Sequence, residues 1–163
     1  AAESVTSDSP TPTVAKTGGN VTITGKSNST KLTFAATPAE ENGLTLQLPE
    51  NYTAAGKQTA NGAIIADDPG ATGEFVWSIT ISNVPANVSI EELVAMLSVT
   101  AAGGQKARVT ITQAAGDSTL EIDKETINLD VNGSAQTVNV TSNDEWTWKN
   151  AASRTVMRML GRL

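Results

Sequence analysis

From Asn20 onward the apolar residues fall in short alternating runs. Val21 and Ile23 make the first, Leu32 and Phe34 the second, and Leu44, Leu46 and Leu48 the third. Phe75, Trp77, Ile79 and Ile81 form the longest stripe, and Val109 with Ile111 follow it. A two-residue period sends one face of a strand into a core and the other into water. Ser27-Asn28, Glu41-Asn42-Gly43, Asn61-Gly62, Asp68-Pro69-Gly70 and Gly103-Gly104 separate the runs with turn chemistry. Many short strands punctuated in this way predict an antiparallel sandwich or small barrel. Thr is abundant, as suits the solvent-facing positions of strands. One stretch departs from the pattern. Ser89 and Glu92 are spaced as a capping box, and Ile90, Leu93, Val94 and Leu97 follow the helical i, i+3, i+4, i+7 spacing, so a two-turn helix is expected there.

The chain divides unevenly. Residues 1–18 are mostly Ser, Thr, Pro and Gly, and read as a flexible or extended arm. Residues 19–116 hold enough strands for one sandwich. Residues 117–149 hold about four more, at 119–122, 126–131, 136–141 and 145–149. The stretch GGNVTITGKSNSTKLTF (18–34) returns as NGSAQTVNVTSNDEWTW (132–148): a Gly turn, an alternating strand, a Ser-Asn pair, then an apolar-Thr-aromatic close. Ser27-Asn28 corresponds to Ser142-Asn143, a domain-sized spacing of 115 residues, so a tandem of similar units is expected, with the second one cut short. Four strands cannot enclose their own apolar side, because a sandwich of this kind needs about seven. A neighbour is expected to cover Ile127, Leu129, Val131, Val138, Val140, Trp146 and Trp148.

Residues 150–163 end the chain with an amphipathic basic pattern. Arg154, Arg158 and Arg162 share one helical face; Val156, Met159, Leu160 and Leu163 share another. About three turns of helix are marginal alone and would form on a partner. Three uses compete: covering the partial unit, anchoring in a groove of a larger assembly, or lying on a membrane surface. Trp146 and Trp148 sit two apart and would share a strand face, either plugging an interface or stacking a sugar ring. Trp77 is expected in the core. Tyr52, placed in a loop, is the candidate exposed aromatic for glycan contact.

The segment STLEIDKETINLDVNGSAQTVNVTSNDEWTW resembles the opening of a BACON-type domain, and KARVTITQAAG (106–116) resembles the closing strand of the same family. The resemblance implies immunoglobulin-like β-sandwiches of Bacteroidetes proteins and of the phages that infect them. It also implies a non-catalytic, surface-displayed module, often proposed to bind carbohydrate or mucin. It transfers no set of binding residues.

Composition narrows the chemistry. The 163 residues contain no Cys and no His. Disulfides, thiolate sites, His-dependent nucleophile systems and His-based zinc sites therefore lie outside this chain's means. The net charge is -6; residues 1–148 carry -10, while the last 15 positions hold four cations and no acid. An acidic body does not favour nucleic acid. No apolar run approaches a membrane span. The N-terminal AAESVTSDSPTPTV has neither the basic region nor the apolar core of a signal peptide, and it fits removal of an initiator Met as well as removal of a leader. Asp67-Asp68-Pro69-Gly70 matches no calcium loop and reads as a turn. No catalytic residue, cofactor or metal is expected. The expected function is a structural display module, a virion decoration or head-fibre protein attached to other virion proteins or to copies of itself through Trp146, Trp148 and the tail. The alternative is a secreted or cell-surface module binding host-surface glycan.

Overall fold

The computed structural model describes residues 2–123 and 137–147. The described residues fall into two compact units: 2–87 with 91–116, and 88–90 with 117–123 and 137–147.

The first unit is an all-β sandwich. Its strands are β1 (Val5–Ser7), β2 (Thr13–Val14), β3 (Gly19–Ser27), β4 (Leu32–Pro38), β5 (Asn51–Ala54), β6 (Lys57–Ala60), β7 (Phe75–Val84), β8 (Leu93–Ala101) and β9 (Lys106–Gln113), with a 3-10 turn at Pro69–Thr72. One sheet runs β1-β3-β7-β5-β6 and the other β2-β9-β8-β4. The N-terminal strand is shared: β1 pairs antiparallel with β3, then the chain crosses and β2 runs parallel to β9. This is the immunoglobulin-like arrangement, with the first, second, fifth and fourth strands of that fold in one sheet and the third, sixth and seventh in the other.

The alternating runs supply the inner layer. Ile23, Phe34, Trp77, Ile79, Ile81, Leu97, Val99, Val109 and Ile111 are all buried. Phe34 lies 4.7 Å from the Tyr52 ring and 5.5 Å, edge to face, from Trp77. Trp77 fits because Gly25 stands opposite it in β3: a Cβ there would meet the indole ring and the Thr6 carbonyl. Ala55 and Gly56, both at positive φ, make the two-residue turn between β5 and β6.

The structure corrects four expectations. Residues 1–18 are not a loose arm. Val5 and Val14 are buried, and the Pro10 and Pro12 carbonyls accept N–H bonds from Thr110 and Thr112. Proline suits this sheet margin because it offers a carbonyl while lacking a donor. The sandwich therefore begins well before residue 19. No helix forms at 89–97. Leu93 opens β8, which lies between β4 and β9, and Ala95, Leu97, Val99 and Ala101 point inward with period two. Two ready ladders override the weak helical spacing. The Leu44–Leu48 run is not a strand either: Ala39 and Leu44 both donate to the Val94 carbonyl, which fixes the start of the run, and its leucines pack on the core. Finally, Tyr52 is not exposed in a loop. It lies on β5 and is 2% exposed, because the period-two pattern of β5 buries Tyr52 and Ala54 together.

The described part of the second unit is a two-stranded antiparallel sheet, β10 (Leu120–Ile122) with β11 (Val140–Ser142). The strand expected at 119–122 is present, and the one expected at 136–141 is shorter and later. Residues 145–147 have no regular structure. The strand expected at 126–131, Trp148 and the expected helix at 150–163 lie outside the described residues.

Candidate functional site

Of the residues expected to anchor the chain, Trp146 is half-buried, and Trp148, Arg154, Val156, Arg158, Met159, Leu160, Arg162 and Leu163 lie outside the described residues. Tyr52 is removed as a glycan platform by its burial. Its hydroxyl has no partner of good hydrogen-bond geometry. Burial pushes its pKa up to about 12, and the Leu32 backbone pulls weakly the other way. Asp67 and Asp68 both take left-handed backbone angles. A hydrogen bond from Lys57, 2.9 Å away, and that ammonium's charge hold the Asp67 carboxyl below its usual value. Among the described residues no three His, Cys, Asp or Glu side chains gather as a metal site.

A polar corner forms where β10 meets β11. Asn143 accepts from the Thr119 N–H at 2.8 Å and donates to the Asp117 carbonyl at 2.8 Å. Ser142 donates to the Thr119 carbonyl at 2.6 Å, and its oxygen receives the Asp144 N–H at 3.1 Å. At the far end of the pair, the Asp123 N–H donates to the Asn139 carbonyl, and the Asn139 amide donates to the Asp123 carboxylate. Ser and Asn suit such a corner because short polar side chains reach nearby backbone without blocking it.

Every one of these bonds has a counterpart in the first unit. Asn28 accepts from the Ser4 N–H and donates to the Ala2 carbonyl. Ser27 donates to the Ser4 carbonyl and receives the Ser29 N–H. The Asp8 N–H donates to the Thr24 carbonyl, and the Thr24 hydroxyl donates to the Asp8 carboxylate. The strand register agrees: Val5 faces Ser27 as Leu120 faces Ser142, and Ser7 faces Gly25 as Ile122 faces Val140. All the equivalences share one offset of 115. The Ser-Asn pairs were visible in the sequence as marks of a repeat, but their partners at 2–4 and 117–119 were not. The signal that would have found them is the common Asp at positions 8 and 123.

The two corners differ in cover. Val5 is 8% exposed, whereas its equivalent Leu120 is 52% exposed and Ile122 is 45% exposed. Among the described residues no helix is long and apolar enough to cross a membrane.

No family model matches the chain, and no curated protein does. Among solved structures, a GH5 xyloglucanase of Bacteroides ovatus, in complex with a XXXG heptasaccharide, matches at 14% identity and a TM-score of 0.37. The match covers 71% of this chain and 19% of that one, so this chain spans a minor part of the enzyme's length. A likeness that slight carries no argument about function.

Proposed function

We propose that the chain is a non-enzymatic structural and display module of BACON type, serving as a decoration or head-fibre protein on the virion of a phage that infects Bacteroidetes. In this reading the first sandwich is displayed and the part after Gly116 attaches it to other virion proteins or to copies of itself. The observation that carries the reading is the apolar exposure at the second corner among the described residues. Leu120 and Ile122 are exposed apolar residues on a two-stranded sheet, and such a pair is marginal without a covering layer. The burial of Tyr52 removes one ring from the alternative, a secreted carbohydrate-binding module, and leaves the Trp146 and Trp148 pair as its aromatic candidate.

The test compares the full chain with one ending at Gly116, using sedimentation velocity over a range of concentrations. Association of the full chain, or its capture by purified virion proteins, with neither in the shortened chain, supports attachment. Equal monomers that are both ignored by virion proteins refute it.

A further inference from the structure

The connection from β6 to β7 places a strained backbone at a chemically weak bond. Asp67 and Asp68 both have positive φ, 66° and 43°. Asp68, with ψ 64°, stands directly before Pro69. Aspartate tolerates the left-handed region, but a following proline ring crowds it and drives it towards extended angles. Asp68 is held left-handed against that pressure, so strain gathers on the Asp68–Pro69 peptide.

The surroundings keep the strain in place. Before the turn, Ile65 is buried and its N–H donates to the Thr30 carbonyl at 2.9 Å. Lys57 holds Asp67 at 2.9 Å. After the turn, Gly70 packs against the Asn28 backbone so closely that a Cβ would collide with the Asn28 carbonyl. Asn28 is itself fixed by the Ser4 N–H and the Ala2 carbonyl. Phe75 then enters the core.

The groups that break such a bond are also present. The Asp68 side chain is exposed and makes no capping hydrogen bond to the turn it precedes. The Asp68 carbonyl accepts the Ala71 N–H at 3.1 Å, a donor aimed at the oxygen on which charge gathers when that carbonyl is attacked. The Pro69 nitrogen carries no hydrogen, and as a tertiary amide nitrogen it takes a proton, and then departs, more readily than an ordinary peptide nitrogen.

We propose that Asp68–Pro69 is a self-cleavage site, cut in mild acid by the Asp68 side chain. A carboxylate oxygen of Asp68 attacks the residue's own main-chain carbonyl carbon. The bond from that carbon to the Pro69 nitrogen breaks, and the nitrogen takes a proton from the acid solution. The five-membered anhydride left on Asp68 adds one water and opens to a free carboxyl terminus. The halves stay together after the cut. Residues up to Asp68 supply β1 to β6, and those from Pro69 supply β7, β8 and β9; β7 lies between β3 and β5, and β8 lies beside β4. The product is a two-chain sandwich held by strand pairing. The site rests on the turn alone and not on the virion reading.

The test incubates the full chain in mildly acidic buffer, in neutral buffer, and unfolded by urea in the acidic buffer, with intact-mass spectrometry of denatured samples. Two fragments are expected, one ending at Asp68 and one beginning at Pro69. They form about tenfold faster in the folded chain than in the unfolded one, and more slowly at neutral pH. Size-exclusion of the cut protein in native buffer shows one undivided species. Asp68→Asn keeps a residue suited to left-handed angles and removes the attacking carboxylate, so cleavage is lost; Asp67→Asn retains it. The proposal is overturned by cleavage of the unfolded chain as fast as the folded one, by equal rates in acidic and neutral buffer, or by cleavage of Asp68→Asn at the wild-type rate. The comparison with urea needs no variant.

Discussion

Tyr52 carries a cost that the rest of the core does not. A buried hydroxyl without a good partner has given up water and received little in return. Tyr52→Phe keeps the ring against Phe34 and removes the oxygen, so it leaves stability unchanged or raises it by up to about 1 kcal/mol in urea denaturation. The same residue makes stability depend on pH. Its pKa is 10.0 when exposed and about 12 in the folded state. A raised folded value favours the protonated form, so the contribution is complete below pH 10.0 and is lost as pH rises through about 12. Denaturation midpoints of the wild type should fall faster across that window than those of Tyr52→Phe; parallel curves would show that the hydroxyl is solvated. The sequence misplaced this side chain because Glu50-Asn51-Tyr52-Thr53 has a turn-like composition with one aromatic ring. What buries the ring is the pairing of β5 with β6 and β7, a relation between distant segments that no local pattern records.

At the scale of elements, strands with a strong two-residue stripe were legible: β3, β4, β7 and β9 lie where their apolar alternation put them. Elements whose partners supply the pattern were not. The first 14 residues hold few apolar side chains, yet Val5 and Val14 fall where the two sheets meet. Ile90 to Leu97 satisfies helical and extended spacings in part, and the neighbours on both sides decide between them. The margin of β4 shows how a loop replaces a strand. Asn61 Oδ1 receives the Phe34 N–H at 2.8 Å, and its amide donates to the Phe34 carbonyl at 3.0 Å. The Gly62 N–H takes the Leu32 carbonyl. The side-chain amide thus imitates a backbone neighbour and shields an edge open to strand addition. Asn61→Ala should cost about 1–2 kcal/mol. Asn61→Asp should cost more, because a carboxylate oxygen then faces the Phe34 carbonyl. Equal stability of Asn61→Asp and wild type would mean that water serves the edge as well.

For the whole molecule, the repeat of the Ser-Asn corner was readable and the frame it binds was not. The spacing between Ser-Asn pairs announced two units, but the residues they bind precede them by about 24 positions and share little side-chain character. The first unit encloses its own core, so a chain ending at Gly116 should unfold cooperatively at the midpoint of the corresponding transition in the full chain. Loss of that transition would show that residues after Gly116 support the first core. The Asn61 clamp sets a limit of another kind. Asn-Gly is the dipeptide most prone to spontaneous deamidation, in which the glycine nitrogen attacks the side-chain carbonyl to give a succinimide. Here that nitrogen is tied to Leu32 and the side chain to Phe34, so the reaction waits for the corner to open. Each opening is then a chance of chemical ageing: once the amide hydrolyses to aspartate or isoaspartate the clamp cannot re-form, and the protein's working lifetime is counted in the openings of one loop.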